Sequence, residues 1–326
     1  MAYAYQSVIA GTGSYLPSRC VPNAYFEDIV DTTDEWIASR TGIKQRHFAD
    51  DDQGTSDLAV EAARRALDKA GLQPKDIGLI IVATVTPDRT FPATAAFVQG
   101  KLGCPPGVAF DVSAACAGFA YALNVAHRFV AAGDVRHALV IGADKLSCFL
   151  DFTDRNTCVL FGDGAGALVL TSAPAVGGEP TQGVLSGFLS ADGSKTGLLQ
   201  SDGGPSTTGT VGLVRMNGRE VFRNAVEEIS NAVVEAADRG GVNPQDIDWF
   251  VPHQANIRII EGCAKRLAID PARVIMTIDR HGNTSSASVP LALDEAIGDG
   301  RIKRGDLVAF AALGGGLAWG SALVRY

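Results

Sequence analysis

The sequence predicts an α/β fold that consists of two related halves. Short apolar runs rich in β-branched residues alternate with longer segments of helical periodicity, which favours a layered arrangement over separate all-α and all-β parts. Residues 70–77 (AGLQPKDI) are echoed by residues 240–247 (GGVNPQDI), and each copy follows a helix pattern and enters an apolar strand. This self-similarity indicates an internal duplication. The stretch 173–181, rich in Gly and Pro, is the expected join between residues 1–173 and residues 174–326.

The duplication also relates positions that can carry function. At the same offset, Ala83 corresponds to His253 and Ser113 corresponds to Asn283. Paired βα units of this kind bring the loops at their strand ends to one shared face. We therefore expect the functional groups of both halves to meet there.

Each element is predicted from its own pattern. Short apolar runs bounded by turn residues predict strands, and apolar residues at helical spacing between capping residues predict helices. The predicted strands are 7–10, 77–83, 108–112, 138–142 and 165–170 in the first half, and 249–251, 274–278 and 307–311 in the second. The predicted helices are 56–70 with Ser56 as the N-cap, 118–132 before Gly133, 218–239, 255–267 and 289–297.

Composition and charge exclude several classes of function. The chain has 326 residues, of which 46% are hydrophobic, and its net charge of -8 without any basic tract argues against nucleic-acid binding. The six cysteines are dispersed, with no C-x-x-C pair and no metal-type cluster, so we expect reduced thiols, no metal and a cytoplasmic location. Residues 1–9 do not have the pattern of a secretory signal, and no apolar run is long enough to span a membrane.

Cys116 lies where an apolar strand pattern gives way to a small-residue helix pattern. If residues 117–130 are helical, the thiolate lies at a helix N-terminus, where the helix dipole and unpaired N–H groups lower a cysteine pKa. A free cysteine is also a common small core residue. From this segment alone, a nucleophile and a core thiol are equally good interpretations.

Three further segments could supply chemistry beside Cys116. His253 follows an apolar strand and precedes a helix with a basic face, although a histidine at such a place is more often structural. Residues 281–288 form a polar turn that contains Asn283 and by itself is typical of a helix cap. Residues 313–317 contain three glycines after a strand, which form either a flexible turn or a close backbone approach to a reacting oxygen.

These segments form an ordered set that spans nearly the whole chain. They are DVSAACAGFA at 111–120, HQAN at 253–256, GNTS at 282–285 and GGGLAWG at 314–320. Two more belong with them, TTDEW at 32–36 with RTGI at 40–43, and FGDGAGA at 161–167. In order and spacing the set resembles β-ketoacyl-acyl-carrier-protein synthase III.

The resemblance implies the thiolase fold, in which two α/β halves pack as five layers, αβαβα, in an obligate homodimer. It also implies a catalytic set of Cys116, His253 and Asn283. Elongating condensing enzymes of the same superfamily carry a second histidine where Asn283 stands, and thiolases carry another cysteine with a different histidine context. Asn283 therefore indicates the branch that initiates type II fatty acid synthesis.

The resemblance further implies the chemistry of each group. The Cys116 thiolate would attack a short acyl-coenzyme A, and malonyl-acyl-carrier-protein would then lose carbon dioxide and attack the acyl-enzyme. The backbone N–H groups of Cys116 and Gly315 would form the oxyanion hole, while His253 and Asn283 would hold the enolate. Coenzyme A is a substrate here, and no metal or redox cofactor is expected.

The substrate contacts come from the same resemblance. Trp36 and Arg155 would stack on the adenine of coenzyme A. Phe91 would reach across the dimer into the acyl pocket, where its bulk suggests a short primer such as acetyl. Leu313 stands where some members carry phenylalanine, and it would shape the same pocket. The remaining positions along the coenzyme A tunnel are Thr32, Arg40, Phe222, Asn256 and Arg258.

A basic surface is expected to receive the acidic carrier protein. Arg258 and Lys265 share one face of the helix predicted at 255–267, and such a face is usually only solvated surface. In this family the corresponding face, with Arg223 and Arg266, binds the carrier protein, and a basic patch on an acidic enzyme would steer that encounter.

Alternative functions remain at this stage. A specialised ketosynthase that primes a polyketide or another secondary metabolite would keep the same catalytic set. A non-catalytic partner that binds the carrier protein would not need Cys116, His253 and Asn283 together. An enzyme of simple acyl transfer or thioester hydrolysis would be acylated without forming a condensed product.

Overall fold

The computed structural model describes residues 5–175 and 181–326. The strands are β1 Tyr5–Tyr15, β2 Arg19–Pro22, β3 Gln45–Phe48, β4 Leu79–Ala83, β5 Val108–Val112, β6 His137–Lys145, β7 Asp163–Pro174, β8 Gly183–Ala191, β9 Leu199–Ser201, β10 Val214–Met216, β11 Trp249–Pro252, β12 Leu307–Gly314 and β13 Ala318–Arg325. The helices are α1 Asp34–Thr41, α2 Thr55–Ala70, α3 Thr94–Leu102, α4 Gly118–Ala132, α5 Gly218–Arg239, α6 Ile257–Leu267, α7 Ile278–His281 and α8 Ser288–Gly298.

Two mixed sheets form the frame of the molecule, and the second repeats the strand order of the first. The first sheet has the order β1-β7-β6-β4-β5, with β4 parallel to both β5 and β6. The second has the order β8-β13-β12-β11, with β11 parallel to β12. In the position that corresponds to β5, the second sheet has only a single parallel bridge between Phe250 and Val274.

The strand predicted at 274–278 is therefore wrong. A 3₁₀ turn at Pro271–Arg273 precedes this segment, and α7 begins at Ile278. Only residues 274–277 lie between these turns, and their one ladder contact is the bridge from Val274.

The helices complete five layers around the two sheets. Helices α2 and α3 cover the outer face of the first sheet, and α5 with α6 covers the outer face of the second. Helices α4 and α8 lie between the sheets, where Phe119, Leu123, Val289 and Leu293 are almost fully buried. Burial of apolar surface on both sides of each sheet is the dominant favourable term in such a layered fold. The predicted α/β class and five-layered arrangement are confirmed.

The sequence echo appears as two copies of one structural unit. Helix α2 ends before Gly71, a 3₁₀ turn follows at Pro74–Asp76, and the chain enters β4. Helix α5, the 3₁₀ turn at Pro244–Asp246 and β11 repeat this sequence of elements. The same offset relates the 3₁₀ turn at Ala115–Ala117 to the one at Ser285–Ala287, and each turn leads into a central helix. The two loops most important for the site are therefore equivalent.

Helices α4 and α5 begin and end at the predicted residues, α8 extends one residue further at each end than predicted, and the starts of α2 and α6 differ. The N-cap of α2 is Gly54 instead of Ser56, because Ser56 lies inside the first turn and donates its N–H and hydroxyl to Asp88. Helix α6 begins at Ile257, since Asn256 is its N-cap and accepts the Arg258 N–H at 2.9 Å.

Some expectations concern residues that the structure does not describe. Residues 1–4 of the N-terminal segment, and residues 176–180 of the expected join at 173–181, lie outside the described ranges. The division at residues 173 and 174 stays a prediction. Within the described ranges, none of the helices has the length and apolar character needed to cross a membrane.

Candidate active site

A cavity of about 810 Å³ contains side chains from both halves of the chain. Cys116 comes from the turn after β5, His253 from the end of β11, and Asn283 from the segment between α7 and α8. All three line this one cavity, and Leu313 near the end of β12 lines it beside them. The structure thus brings together the residues that the sequence analysis selected as catalytic candidates.

Cys116 is placed by a tight turn and by a close backbone neighbour. Ala115 has a φ of 46°, in the left-handed region that non-glycine residues adopt only at a cost. A Cβ atom at position 314 would lie 2.5 Å from the Cys116 backbone nitrogen, so only glycine fits there. Cys116 is 6% exposed and lies just before α4, whose first residue is Gly118.

The pKa of Cys116 differs from the expectation. Burial raises the pKa of this thiol to about 12, a hydrogen bond with the Ser285 side chain opposes that shift, and the nearby Asp144 charge adds to it. The expected lowering of the Cys116 pKa at a helix N-terminus is therefore wrong. Cys116 lies in a 3₁₀ turn before α4, and desolvation outweighs the favourable contacts.

His253 is held by backbone and side-chain contacts. Its N–H donates to the Ala311 carbonyl at 2.8 Å, and its Nδ1 lies 2.6 Å from the Ser288 hydroxyl oxygen. The Ser288 oxygen also accepts the Gln254 N–H at 3.3 Å, so its own proton is available for Nδ1. Burial lowers the pKa of His253 to about 3, which keeps the imidazole neutral at physiological pH. The neutral ring with Nδ1 as acceptor carries its proton on Nε2.

Asn283 is fixed by its backbone and by one end of its amide. Its N–H donates to Leu160 at 3.0 Å, and its carbonyl accepts the Gly162 N–H at 2.9 Å. Its Oδ1 accepts the Ser285 N–H at 3.0 Å, which leaves the Nδ2 group as the donor for a bound molecule. Asn283 and His253 therefore offer N–H donors, and their positions on the cavity wall suit them to hold a negative oxygen.

The sequence analysis missed two serines that organise these groups. Ser285 contacts the Cys116 thiol and Asn283, while Ser288 contacts His253. Both lie in the polar run 281–288, which had been interpreted as a turn and cap apart from Asn283. The signal was present in that run, but only the folded chain shows which hydroxyl meets which group.

The mouth of the cavity carries an aromatic ring between cationic side chains. The Arg40 and Arg155 guanidinium carbons lie 4.6 Å and 5.0 Å from the centre of the Trp36 ring. Asn256 also lines the cavity, and its Nδ2 donates to the Arg40 carbonyl at 3.0 Å. Phe222, on α5, lines the same region and is 41% exposed. This end of the cavity suits a ligand with a flat ring and negative charge.

Other candidates lie outside the cavity lining. Gly315 is one residue beyond the glycine that packs against Cys116, and it lies against the Leu199 carbonyl. Phe91 is 82% exposed on its own chain. The Thr32 hydroxyl is buried without a hydrogen-bond partner among the described residues. Four basic residues expected to bind the carrier protein, exposed on α5 and α6, also lie outside the lining: Arg223, Arg258, Lys265 and Arg266.

The exposed basic residues differ in their contacts. Arg223 pairs with Glu220 at 2.6 Å, and Arg258 donates to the Ser39 carbonyl at 2.9 Å. Arg266 donates to Asn231 at 3.3 Å. Helices α5 and α6 pack on one another, and the contact between Arg266 and Asn231 joins the two helices at their exposed side.

Comparisons with known proteins agree with this geometry. Residues 237–326 match a family described as 3-oxoacyl-[acyl-carrier-protein (ACP)] synthase III C terminal, and residues 110–193 match 3-oxoacyl-[acyl-carrier-protein (ACP)] synthase III. A β-ketoacyl-[acyl-carrier-protein] synthase III of Rhodospirillum rubrum is 58% identical over 98% of this chain and 99% of the relative.

Solved structures with the thiolase fold match over the same extent. The 3-oxoacyl-[acyl-carrier-protein] synthase III of Aquifex aeolicus VF5 has a TM-score of 0.92 at 46% identity, covering 98% of this chain and 100% of that one. The priming β-ketosynthase of the R1128 polyketide pathway has a TM-score of 0.92 at 36% identity, covering 99% and 97%.

Proposed function

The chain belongs to the 3-oxoacyl-[acyl-carrier-protein] synthase III family and is an acyltransferase of the type that initiates fatty acid synthesis, and we propose Cys116, His253 and Asn283 as its catalytic groups. One observation carries the proposal. These three side chains come from separate elements of both halves, yet they line a single cavity. A thiol next to two N–H donors is the arrangement that a thioester condensation needs.

In the first half-reaction, the Cys116 sulfur attacks the carbonyl carbon of a short acyl-coenzyme A. The carbon–sulfur bond to coenzyme A breaks, and the thiol proton of Cys116 leaves with the coenzyme sulfur. The backbone N–H groups of Cys116 and Gly315 hold the oxygen of the tetrahedral intermediate. Removal of one such donor typically costs on the order of a hundredfold in rate. The glycine at 314 lets the backbone approach closely enough for this contact.

In the second half-reaction, malonyl-acyl-carrier-protein loses carbon dioxide and forms a thioester enolate. His253 through Nε2 and Asn283 through Nδ2 donate hydrogen bonds to the enolate oxygen. The enolate carbon then attacks the acyl carbonyl, and the Cys116 sulfur leaves as a thiolate and takes up one proton from solvent. The product is a 3-ketoacyl-acyl-carrier-protein. Each step uses only groups of the chain, the two thioester substrates and this solvent proton, so the absence of a cofactor stays a prediction of this mechanism.

The cavity mouth supports the proposed coenzyme A contacts. Trp36 and Arg155 offer a flat stacking surface for adenine, and Arg40 adds positive charge beside them. Asn256 and Phe222 continue the lining toward the catalytic end. Thr32 and Arg258, although outside the lining, complete the set that the family resemblance suggests.

The exposed cations on α5 and α6 are the proposed docking surface for the carrier protein. Arg223, Arg258, Lys265 and Arg266 lie on two helices that pack together beside the cavity mouth. The chain as a whole carries a net charge of -8, so a local positive surface gives an acidic partner a defined approach.

A homodimer is the proposed assembly. The first sheet ends at β5, whose residues are half-buried or exposed although Val108, Phe110 and Val112 are apolar. An unpaired strand edge with apolar side chains is unfavourable in water, and a second copy would cover it. Phe91 is 82% exposed on its own chain, which suits a residue that closes the acyl pocket of a neighbouring copy. A cytoplasmic location stays a prediction.

Sequence identity to known proteins favours the initiation of fatty acid synthesis over the priming of polyketide synthesis. The Rhodospirillum rubrum relative is 58% identical, whereas the polyketide-priming structure is 36% identical. A panel of acyl-coenzyme A primers tests this conclusion, since we expect acetyl to be preferred over longer or branched groups. Preference for a long or unusual primer would favour the polyketide interpretation.

Intact-protein mass spectrometry tests the proposed mechanism directly. The chain is incubated with acetyl-coenzyme A, and malonyl-acyl-carrier-protein is then added. We expect an acetyl adduct that is absent in Cys116→Ala and present in Cys148→Ala, because Cys148 is an exposed cysteine that does not line the cavity. The second addition should remove the adduct and release acetoacetyl-acyl-carrier-protein.

Other results of the mass spectrometry experiment would indicate a different function or a different nucleophile. Failure to acylate with any short acyl-coenzyme A overturns the mechanism and favours a non-catalytic carrier-protein partner. Loss of the adduct to water without a condensed product indicates thioester hydrolysis. Retention of the adduct in Cys116→Ala would assign the nucleophile to another residue.

A further inference from the structure

A buried carboxylate lies directly behind the proposed active site. Asp144, near the end of β6, has no exposed surface. It accepts hydrogen bonds from Thr84 Oγ1 at 3.1 Å and from the Val85 N–H at 2.8 Å, both in the turn after β4. From the opposite side it accepts the Ser286 N–H at 3.0 Å and the Ser286 hydroxyl at 2.6 Å. Asp144 does not line the cavity and has no role in the proposed reaction steps.

The internal repeat gives this pair a counterpart in the other half. The offset that relates residues 70–77 to 240–247 also relates Cys116 to Ser286 and Asp144 to Gly314. In one copy, glycine at 314 leaves room for the Cys116 backbone. In the other copy, the equivalent place is filled by a carboxylate that is bonded to Ser286. The 115–117 turn therefore places a thiol in the cavity, whereas the equivalent 285–287 turn is hydrogen-bonded to Asp144.

From Ser286 the contacts lead to two of the proposed catalytic groups. The neighbouring residue, Ser285, lies in the 285–287 turn that packs against the 115–117 turn, and its side chain lowers the pKa of the Cys116 thiol as a hydrogen-bond partner does. Its N–H donates to Asn283 Oδ1 at 3.0 Å. Because Ser285 and Ser286 are adjacent, a displacement of Ser286 would also move the contacts that Ser285 makes with Cys116 and Asn283.

The 285–287 turn also needs contacts with residues outside it to keep its backbone conformation. Ser285 has a φ of 51°, a left-handed conformation that costs a non-glycine residue on the order of 1 kcal/mol or more. Such a residue keeps this conformation only when surrounding contacts fix it. Asp144 supplies two hydrogen bonds to the next residue, and hydrogen bonds to a buried charged group are among the stronger ones.

We propose that Asp144 is a positioning residue of the condensation: through Ser286 it holds the 285–287 turn where Ser285 meets the Cys116 thiol and Asn283 faces the enolate. This inference rests on the proposed function. It assigns to Asp144 an effect on the rate of the chemical steps but not on the binding of acyl-coenzyme A. The stacking residues Trp36 and Arg155 lie on other elements and do not contact this network.

Two variants perturb the network to different degrees. Asp144→Asn keeps the shape but replaces one acceptor oxygen with an NH₂ donor among groups that all donate. Ser286→Ala removes the 2.6 Å hydroxyl contact to Asp144, together with the 2.8 Å contact of the same hydroxyl to the Ala83 carbonyl, and leaves the backbone N–H contact in place. We expect kcat to fall at least about tenfold for Asp144→Asn and several-fold for Ser286→Ala, with KM for acetyl-coenzyme A within about twofold of wild type.

Two matched controls remove equivalent groups elsewhere. Asp294→Asn neutralises a buried carboxylate that accepts from Thr12, Ser14 and Lys69. Ser321→Ala removes a buried hydroxyl that donates to the Ala232 carbonyl. We expect both controls to lower thermal stability while kcat per folded molecule stays within about twofold of wild type.

The outcomes separate positioning from folding. The inference is overturned if the Asp144 and Ser286 variants lose kcat only in proportion to their folded fraction, or if the controls lose as much kcat. If Asp144→Asn does not fold, Ser286→Ala decides the question on the same criteria. A wild-type chain that neither acylates nor condenses would instead overturn the proposed function, so the two failures are distinguishable.

Discussion

The contact between His253 and Ser288 gives a quantitative prediction for Ser288→Ala. The Ser288 oxygen accepts the Gln254 N–H at 3.3 Å and lies 2.6 Å from His253 Nδ1, and we assign its proton to that nitrogen because the proposed mechanism needs the Nε2 donor. The bond selects the ring form that carries its proton on Nε2, which is the donor that the enolate needs. Loss of this hydrogen bond removes roughly 1 to 1.4 kcal/mol of support for the Nε2 donor in the transition state, which corresponds to a five- to tenfold loss in rate.

The two half-reactions should respond differently to this substitution. We expect decarboxylation of malonyl-acyl-carrier-protein, followed as released labelled carbon dioxide, to fall about five- to tenfold. Acetylation of Cys116, followed by mass spectrometry, should stay within about twofold, because the first half-reaction does not use the His253 donor. Ser321→Ala is the matched control, since it removes another buried serine hydroxyl. Unchanged decarboxylation in Ser288→Ala, or an equal loss in both half-reactions, would refute the reasoning.

Three further predictions concern stability, docking and primer choice. Burial lowers the pKa of His127 to about 4, so the unfolded chain takes up a proton between pH 6.5 and 4 that the folded chain does not. Denaturant unfolding should therefore show a loss of roughly 3 kcal/mol from this group on acidification, and His127→Asn should lack that loss. The double variant Arg258→Glu/Lys265→Glu should raise KM for the carrier substrate several-fold at low salt with kcat unchanged; a salt-insensitive, unchanged KM contradicts the docking surface. Phe91→Ala should let the enzyme accept longer acyl-coenzyme A primers, and an unchanged primer profile contradicts its place in the pocket.

Most of the fold could be predicted from the sequence because both copies of the internal duplication keep the same local patterns of helix ends, turns and strands. The repeated segments at 70–77 and 240–247 both carry a helix end, a Pro-initiated 3₁₀ turn and a strand, and these are local signals. The strand predicted at 274–278 fails for a non-local reason. Val274 and Ile275 are buried in the hydrophobic core, but the only ladder contact of the described segment 274–277 is the bridge from Val274.

Only part of the candidate active site could be predicted from the sequence. Cys116, His253 and Asn283 stand at strand ends or turns, so their types and places in the repeat indicated chemistry. Ser288 and Asp144 act through contacts to residues 35 and 142 positions away in the chain, which no local pattern reveals. The geometry of hydroxyl and carboxylate partners is a property of the packed layers.

The protonation states of Cys116 and His253 follow from burial and constrain the order of proton transfer and bond formation. With the pKa of Cys116 raised to about 12 and that of His253 lowered to about 3, the free enzyme holds a neutral thiol beside a neutral imidazole at physiological pH. An ion pair is therefore not the resting state, and the Cys116 proton must leave as the bond to the acyl carbon forms and the coenzyme sulfur departs. The acylation rate should then show no inflection near the ordinary pKa of histidine. The same burial that disfavours a free thiolate also keeps His253 neutral, and the second half-reaction needs that neutral N–H donor for the enolate.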